Sequence, residues 1–230
     1  LLFALFLIGG SVVLGELTIY EQKKIVMDMG LAAINLMGVI IAVFVGIGLV
    51  SKEIERRTIY TIMARPISRF QFILGKYCGL ALTLFVNVGV MVLVFFATLF
   101  MDQIPVPMAL FQAIGLIFVE LLLVTAIALF FSTFTSATLS AMLTLGFYVI
   151  GHLSTDLKGL ADKSPHDGVR QVIEGLYYLC PNFELLNIKG QAAAGVSVAW
   201  TYQAWAMSYG MLYAAALVAA ACLVFQRRDF

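Results

Sequence analysis

Two places in this 230-residue chain gather side chains that could do chemistry or grip a partner. The first is Glu120, a lone carboxyl inside a long apolar run. An acid at the centre of a bilayer costs about 2.5–3.5 kcal/mol on insertion scales, so it must face a bundle interior and be bonded there. Two readings stand: a lining group of a translocation path, and an interhelical anchor that is protonated or bonded to Ser or Thr. Asn87, in another apolar run, reads as amide glue between helices or as a second polar group of the same path. The second place is the charged stretch Lys52, Glu53, Glu55, Arg56, Arg57 and Thr58, which continues through Pro66 and Arg69 to Lys76. On a helical wheel Ile54, Thr58, Ile59, Ile62 and Met63 share one side, and Lys52, Glu53, Arg56 and Arg57 share the other. Glu53 and Arg57 stand at i, i+4 in the favourable order. Pro66 breaks this helix, and Ser68 is placed to cap a second one that carries Arg69 and Lys76. Such a two-faced helix serves either to meet anionic lipid headgroups or to seat in a soluble protein.

Other candidates carry less. His152 and Asp156 are one turn apart beside Lys158 and read as a solvated helix end, with a metal or proton site as the alternative. His166 lies in Ser164-Pro165-His166-Asp167-Gly168, a turn. Cys78, Cys180 and Cys222 have no metal-ligand spacing, and Cys180 reads as an unpaired, half-buried thiol or an intersubunit partner. The ten methionines are dispersed, which argues against copper handling. No metal site is expected. No run reads G-x-x-x-x-G-K-[ST], so the chain itself carries no nucleotide-binding motif and no enzymatic site is expected in it. An intramembrane enzyme would need Glu120 and His152 together, yet the sequence sets Glu120 at mid-membrane and His152 near the outer face.

The elements that hold these residues are apolar helices. Hydrophobic residues make up 62% of the chain and charged ones 12%, with mean hydropathy +1.01. Soluble domains carry about 45–50% and about 25%. About 20 apolar residues make a helix long enough to cross a bilayer. Six spans follow: about 1–20, 30–50, 77–101, 108–131, 137–155 and 201–225. The first begins without Met or a basic flank, and its uncharged part is short, so it reads as a span that has lost its beginning. Residues 51–76 form the charged connection. Asp102 to Pro107 makes a tight turn, and Ser136 is placed to cap the fifth span.

Orientation follows from the basic residues. Lys52, Arg56, Arg57, Arg65, Arg69 and Lys76 share one connection, and Arg227 and Arg228 lie at the same side. The positive-inside rule puts both in the cytoplasm, with both termini inside. Trp200, Tyr202 and Trp205 then fall at the outer interface, which suits their amphipathic rings. In the outer loop 156–200, Val169, Val172, Ile173, Leu176, Tyr177 and Cys180 recur at helical spacing and Pro181 stops the run. That predicts an amphipathic helix in the outer interface or capping the bundle. Ala214–Ala216 and Ala219–Ala221 give the last span a small-residue face for close packing.

With these residues in place the chain resembles the permease subunits of type-2 (ABC-2) ATP-binding-cassette transporters. Glu53, Glu55 and Thr58, then Pro66, Ser68 and Arg69, then Gly75 and Lys76 match that family's acidic helix, Pro-x-Ser-Arg and Gly-Lys pattern. Arg57 stands where many members have glycine. Cys180-Pro181-Asn182-Phe183-Glu184 is similar to the family's Pro-Asn stretch, and Arg227-Arg228-Asp229 to its basic end. The resemblance implies an all-α membrane protein with six transmembrane helices, a cytoplasmic amphipathic coupling helix between the second and third, and an outer interfacial helix between the fifth and sixth. It implies a single transmembrane domain over 1–230 in a bacterial or archaeal cytoplasmic (inner) membrane. It implies two copies of an ABC ATPase subunit that carry the ATP and Mg, a second permease copy or homologous permease, and an extracytoplasmic accessory protein in some members. No nucleic-acid partner is implied. Lys52, Glu53, Glu55, Arg56, Arg57, Thr58, Pro66 and Arg69 would then meet the ATPase, and Glu120 and Asn87 would flank the path. The competing function is an autonomous channel or secondary carrier with Glu120 as its ion site.

Overall fold

A helix that is apolar on every side has no face to give to water and must be enclosed by others. Residues 108–132 fit that description, and they become the centre of the molecule. The computed structural model describes residues 4, 7–10, 22–55, 69–163 and 167–226. They form α1 (Gln22–Glu55), α2 (Arg69–Met101), α3 (Met108–Ser132), α4 (Ala137–His152), α5 (Ser154–Lys163) and α6 (Asp167–Leu179). A 3-10 turn at Glu184–Leu186, α7 (Lys189–Ala193) and α8 (Trp200–Gln226) follow. α3 is packed by α1, α2, α4, α7, α8 and the 3-10 turn, and it buries residues around its whole circumference.

Two glycines let the neighbouring helices approach closely. Gly38 of α1 lies against the Leu121 side chain, and Gly210 of α8 lies against Val119. A Cβ at either position would overlap those side chains. Both approaches are made one residue away from Glu120, so α1 and α8 pack tightly beside the carboxyl.

Four described helices are long and apolar enough to cross a membrane: Lys23–Gly48, Phe70–Met101, Met108–Ser132 and Trp200–Gln226. The expected first span lies mostly outside the described residues, where only Ala4, Leu7, Ile8, Gly9 and Gly10 are seen as helical. The expected fifth span, about 137–155, is covered by two helices, α4 and the start of α5. Ala137–His152 has 16 residues, about 24 Å at 1.5 Å per residue, less than the roughly 30 Å of hydrocarbon. The chain then turns by 67° into Ser154–Leu160. The last turn of α4 tightens as the Leu153 N–H reaches both Val149 O (3.1 Å) and Ile150 O (3.2 Å). Among the described residues there are therefore four spans, or five with the bent pair.

Around the charged connection, α1 runs on to Glu55 and α2 begins at Arg69. Lys52, Glu53 and Glu55 thus belong to the end of α1, and Arg69 to the start of α2. Arg56, Arg57, Thr58, Pro66 and Ser68 lie outside the described residues, as do His166 and Arg227–Asp229. Ser136 occupies the N-cap of α4 with extended backbone, but its side chain makes no capping bond, contrary to expectation. At the tight turn after α2, Gln103 adopts a left-handed φ of 54°.

The outer loop departs most from expectation. The amphipathic segment does form α6, and it pairs with α5, where Lys158 Nζ lies 5.6 Å from the Tyr177 ring centroid. Its apolar face is only partly covered: Ile173, Leu176 and Tyr177 are half-buried, Val172 is 64% exposed, and Val169 lies outside the described side chains. Beyond it the chain returns into the bundle, burying Phe183, Leu186, Ile188, Ala192 and Ala193. Cys180 is buried rather than half-buried, and burial pushes its thiol up from its ordinary value. Trp200 and Trp205 remain exposed on α8.

Replacing Gly38 by Val should force α1 away from Leu121 and cost about 1–3 kcal/mol. Gly175→Ala, on α6 with open space around it, should instead be neutral or stabilising by up to about 1 kcal/mol. Thermal unfolding of the two variants in the same detergent checks both directions.

Candidate functional site

Three consecutive residues at the middle of α3 point about 100° apart and meet different neighbours. Val119 meets Gly210 of α8, Leu121 meets Gly38 of α1, and Glu120 faces a polar cluster. Glu120 is fully buried. The Asn35 amide of α1 donates to Oε1 at 3.2 Å and to Oε2 at 3.3 Å. His152 Nε2, at the end of α4, lies 3.4 Å from Oε1. That distance suits electrostatic attraction, but the ring N–H is not aligned as a hydrogen bond, and Nε2 has no other partner. Asn35 Oδ1 is likewise buried without a donor. Tyr148, one turn before His152, lies close enough for its hydroxyl to interact with Glu120 and Asn35. On the fourth side the Tyr77 hydroxyl of α2 donates to Leu122 O at 3.3 Å.

The cluster is covered by the segment that returns from α6. Phe183 stacks on the His152 ring with centroids 5.5 Å apart and meets the Tyr148 ring at a tilt, with centroids 5.4 Å apart. Its N–H donates to Gly151 O at 3.1 Å, and Gly151 leaves no room for a Cβ against the Pro181 carbonyl. Asn182 Oδ1 accepts from the Glu184 N–H at 3.0 Å, forming an Asx turn. Three tyrosines of α8 hold the same segment. Tyr213 donates to Leu179 O (2.8 Å), Tyr209 accepts from the Asn182 N–H (2.9 Å), and Tyr202 donates to Leu185 O (2.9 Å). Just beyond, Gln112 of α3 pairs with the backbone of Val198 through two bonds of 3.0 and 3.1 Å.

The sequence-based expectations fare unevenly here. Glu120 is bonded in the bundle interior, but to the Asn35 amide rather than to Ser or Thr, with the His152 imidazole 3.4 Å away. His152 is not a solvated helix end at another depth; it touches the carboxylate. The reason is geometric: α4 is short and antiparallel to α3 across the 133–136 turn. Counted from that turn, Glu120 lies about 18 Å back and His152 about 22 Å forward. That count was available from the sequence. Asn35 and Tyr148 were missed, Asn35 because it sits in a run notable for having no charge. Asn87 is not brought to the cluster or to another helix; its amide donates to Thr83 O of its own helix at 2.8 Å. Among the described residues no group of three His, Cys, Asp or Glu is placed to hold a metal ion.

A buried polar cluster at the centre of a membrane bundle suits many proteins, so kinship has to separate them. A family model described as ABC-2 family transporter protein matches residues 10–230. The chain belongs to the ABC-2 transporter family. It is thus a permease subunit of an ABC transporter: a multi-pass integral membrane protein and the membrane component of the machine, whose partner is an ABC ATPase subunit. Neither a curated protein nor a solved structure is matched by this permease. The structure gives its Pro181-Asn182 stretch a physical task, which is to hold Phe183 over the Glu120 cluster.

Removing one partner of the permease's buried pair should cost more than removing both. Asn35→Leu strips the carboxyl of its amide donors and should destabilise by about 1–3 kcal/mol. Adding Glu120→Leu should recover part of that loss. A double-mutant cycle in reversible detergent unfolding reads the coupling.

Proposed function

We propose that this permease couples ATP hydrolysis by a separate ATPase subunit to export, or to mechanical work, across a bacterial or archaeal cytoplasmic membrane. The observation that carries the reading is the family match over 10–230. The continuity of α1 into the first residues of the charged connection supports it. α1 is one continuous helix from Gln22 to Glu55, with Asn35 along it. Asn35 lies about 30 Å from Glu55 along the axis. A push on residues 51–76 at nucleotide closure would therefore reach Asn35 through a rigid rod and arrive at Glu120. In this reading Lys52, Glu53, Glu55, Arg56, Arg57, Thr58, Pro66 and Arg69 form the ATPase contact. ATP and Mg belong to the two ATPase copies.

The remaining parts of the reading are these. The full transmembrane domain has six spans with both termini in the cytoplasm, which the basic residues favour. The permease pairs with a second copy or a homologous permease, and an extracytoplasmic accessory protein can engage the outer α5–α6 face. Glu120 and Asn87 flank the path, with Asn87 half-exposed on the outward side of α2.

The permease should co-purify with an ATPase chain whose hydrolysis the complex stimulates. Glu53→Lys with Glu55→Lys, or Pro66→Ala, should weaken that association about tenfold or more, equivalent to about 1.4 kcal/mol, while leaving the protein inserted. Pull-down and coupled ATPase assays measure this, and unchanged coupling would overturn the assignment of the docking residues.

A further inference from the structure

The cluster around Glu120 has a property that ATP-driven coupling does not use, its charge. The carboxyl is fully buried, and among the described residues its ion-pair partner is His152 alone. The groups that face it from the packed elements can be named. α4 brings His152 and Tyr148, both titratable. α1 brings the neutral amide of Asn35. α2 approaches with Tyr77, which bonds the Leu122 carbonyl instead. α8 approaches with Gly210 against Val119, and Leu186 of the 3-10 turn packs beside that glycine. α7 contributes the buried Ala192 and Ala193 to the same core. Asp28 and Glu184 are exposed.

We propose that Glu120 and His152 together hold one exchangeable proton, and that this proton keeps the broken fifth span docked against the middle of the bundle. With one proton on the pair the net charge is zero, whether as carboxylic acid beside imidazole or as carboxylate beside imidazolium. A second proton leaves the acid beside imidazolium, with charge +1. Loss of the proton leaves carboxylate beside neutral imidazole, with charge −1. Either charge is then uncompensated beside a fully buried carboxyl, where a single unpaired ion is strongly disfavoured. Only the one-proton pair is neutral, so gaining or losing a proton unbalances it on either side.

The geometry also says what yields when the balance is lost. α4 stops at His152, the chain bends at Leu153, and what holds this end is Glu120 on one side and Phe183 on the other. A fifth of the His152 side chain is already accessible, which gives water and protons their way in. A net charge draws water to that edge and loosens residues 146–153 together with 180–186. The site needs no ATPase for its operation, so it stands or fails apart from the coupling proposed above.

Hydrogen–deuterium exchange of the full-length permease in lipid nanodiscs tests this across pH, after correction for the intrinsic pH dependence of exchange. In the wild type, protection of 146–153 and 180–186 should peak at intermediate pH and fall several-fold on both sides. Glu120→Gln still accepts from Asn35 but has no proton to lose, so it should keep only the acid-side fall. His152→Gln should keep only the alkaline-side fall. A merely structural pair would lower protection in each variant without removing one limb. A flat or one-limbed wild-type profile overturns the proposal by itself, even if a variant fails to insert. Variants that each retain both limbs overturn it as well.

Discussion

The hydrocarbon of a bilayer offers no water to a carboxyl, so Glu120 must draw every partner it has from its own chain. That constraint organises the middle of the molecule. It requires α1 to present Asn35 at one depth, α4 to end where His152 reaches the same depth, and a cover to keep lipid and water away. Replacing such a buried pair with apolar side chains is often neutral or even stabilising, whereas breaking it is costly. Stability alone is therefore a weak reason for its presence. What the pair does supply is position. A carboxyl that accepts from Asn35 adds a directional bond to the apolar packing, and so specifies the rotation and height of α3 against α1.

From that anchor the mechanical layout follows. α3 is the hub, α1 is a straight rod from the hub to the charged connection, and α4 is a short strut held at its free end. Gly38 and Gly210 let α1 and α8 pack tightly against the hub, so small displacements there meet stiff packing rather than slack. The tyrosines of α8 hold the 179–185 segment from the far side, and that segment holds α4 through Phe183. Movement of α8 and of α1 thus converges on the same imidazole from opposite directions.

Much of this was legible in the sequence. The long apolar runs, the amphipathic α6 and the need to enclose Glu120 all follow from hydropathy and spacing. The partners of Glu120 did not. Asn35 is one amide in a run whose message is its lack of charge, and nothing local distinguishes it from helix glue. His152 was misplaced because a span was taken to cross the full thickness, whereas α4 stops short and is completed by a bend. Gly151 permits that ending, and its need for space shows only when Pro181 and Phe183 come to lie against it. In the outer loop the helical periodicity ends at Pro181, and nothing in the spacing beyond it marks Phe183, Leu186, Ile188 and Ala192 as residues that return to the core. Contacts between residues tens of positions apart leave no local pattern.

The separation in chain position between Asn35 and Glu120, 85 residues, has a consequence for biogenesis. Domains are generally built from the N-terminus as synthesis proceeds. Asn35 is therefore already in the bilayer when Glu120 leaves the ribosome, and the carboxyl can be met at once by an amide donor. His152 arrives next, on a helix too short to hold itself across the membrane. Phe183 and then Tyr209 and Tyr213 arrive last and close the cluster. Insertion of the costliest residue is thus prepared by an earlier helix, and the order of the helices along the chain is also the order in which the exposed polar surface of each intermediate is reduced.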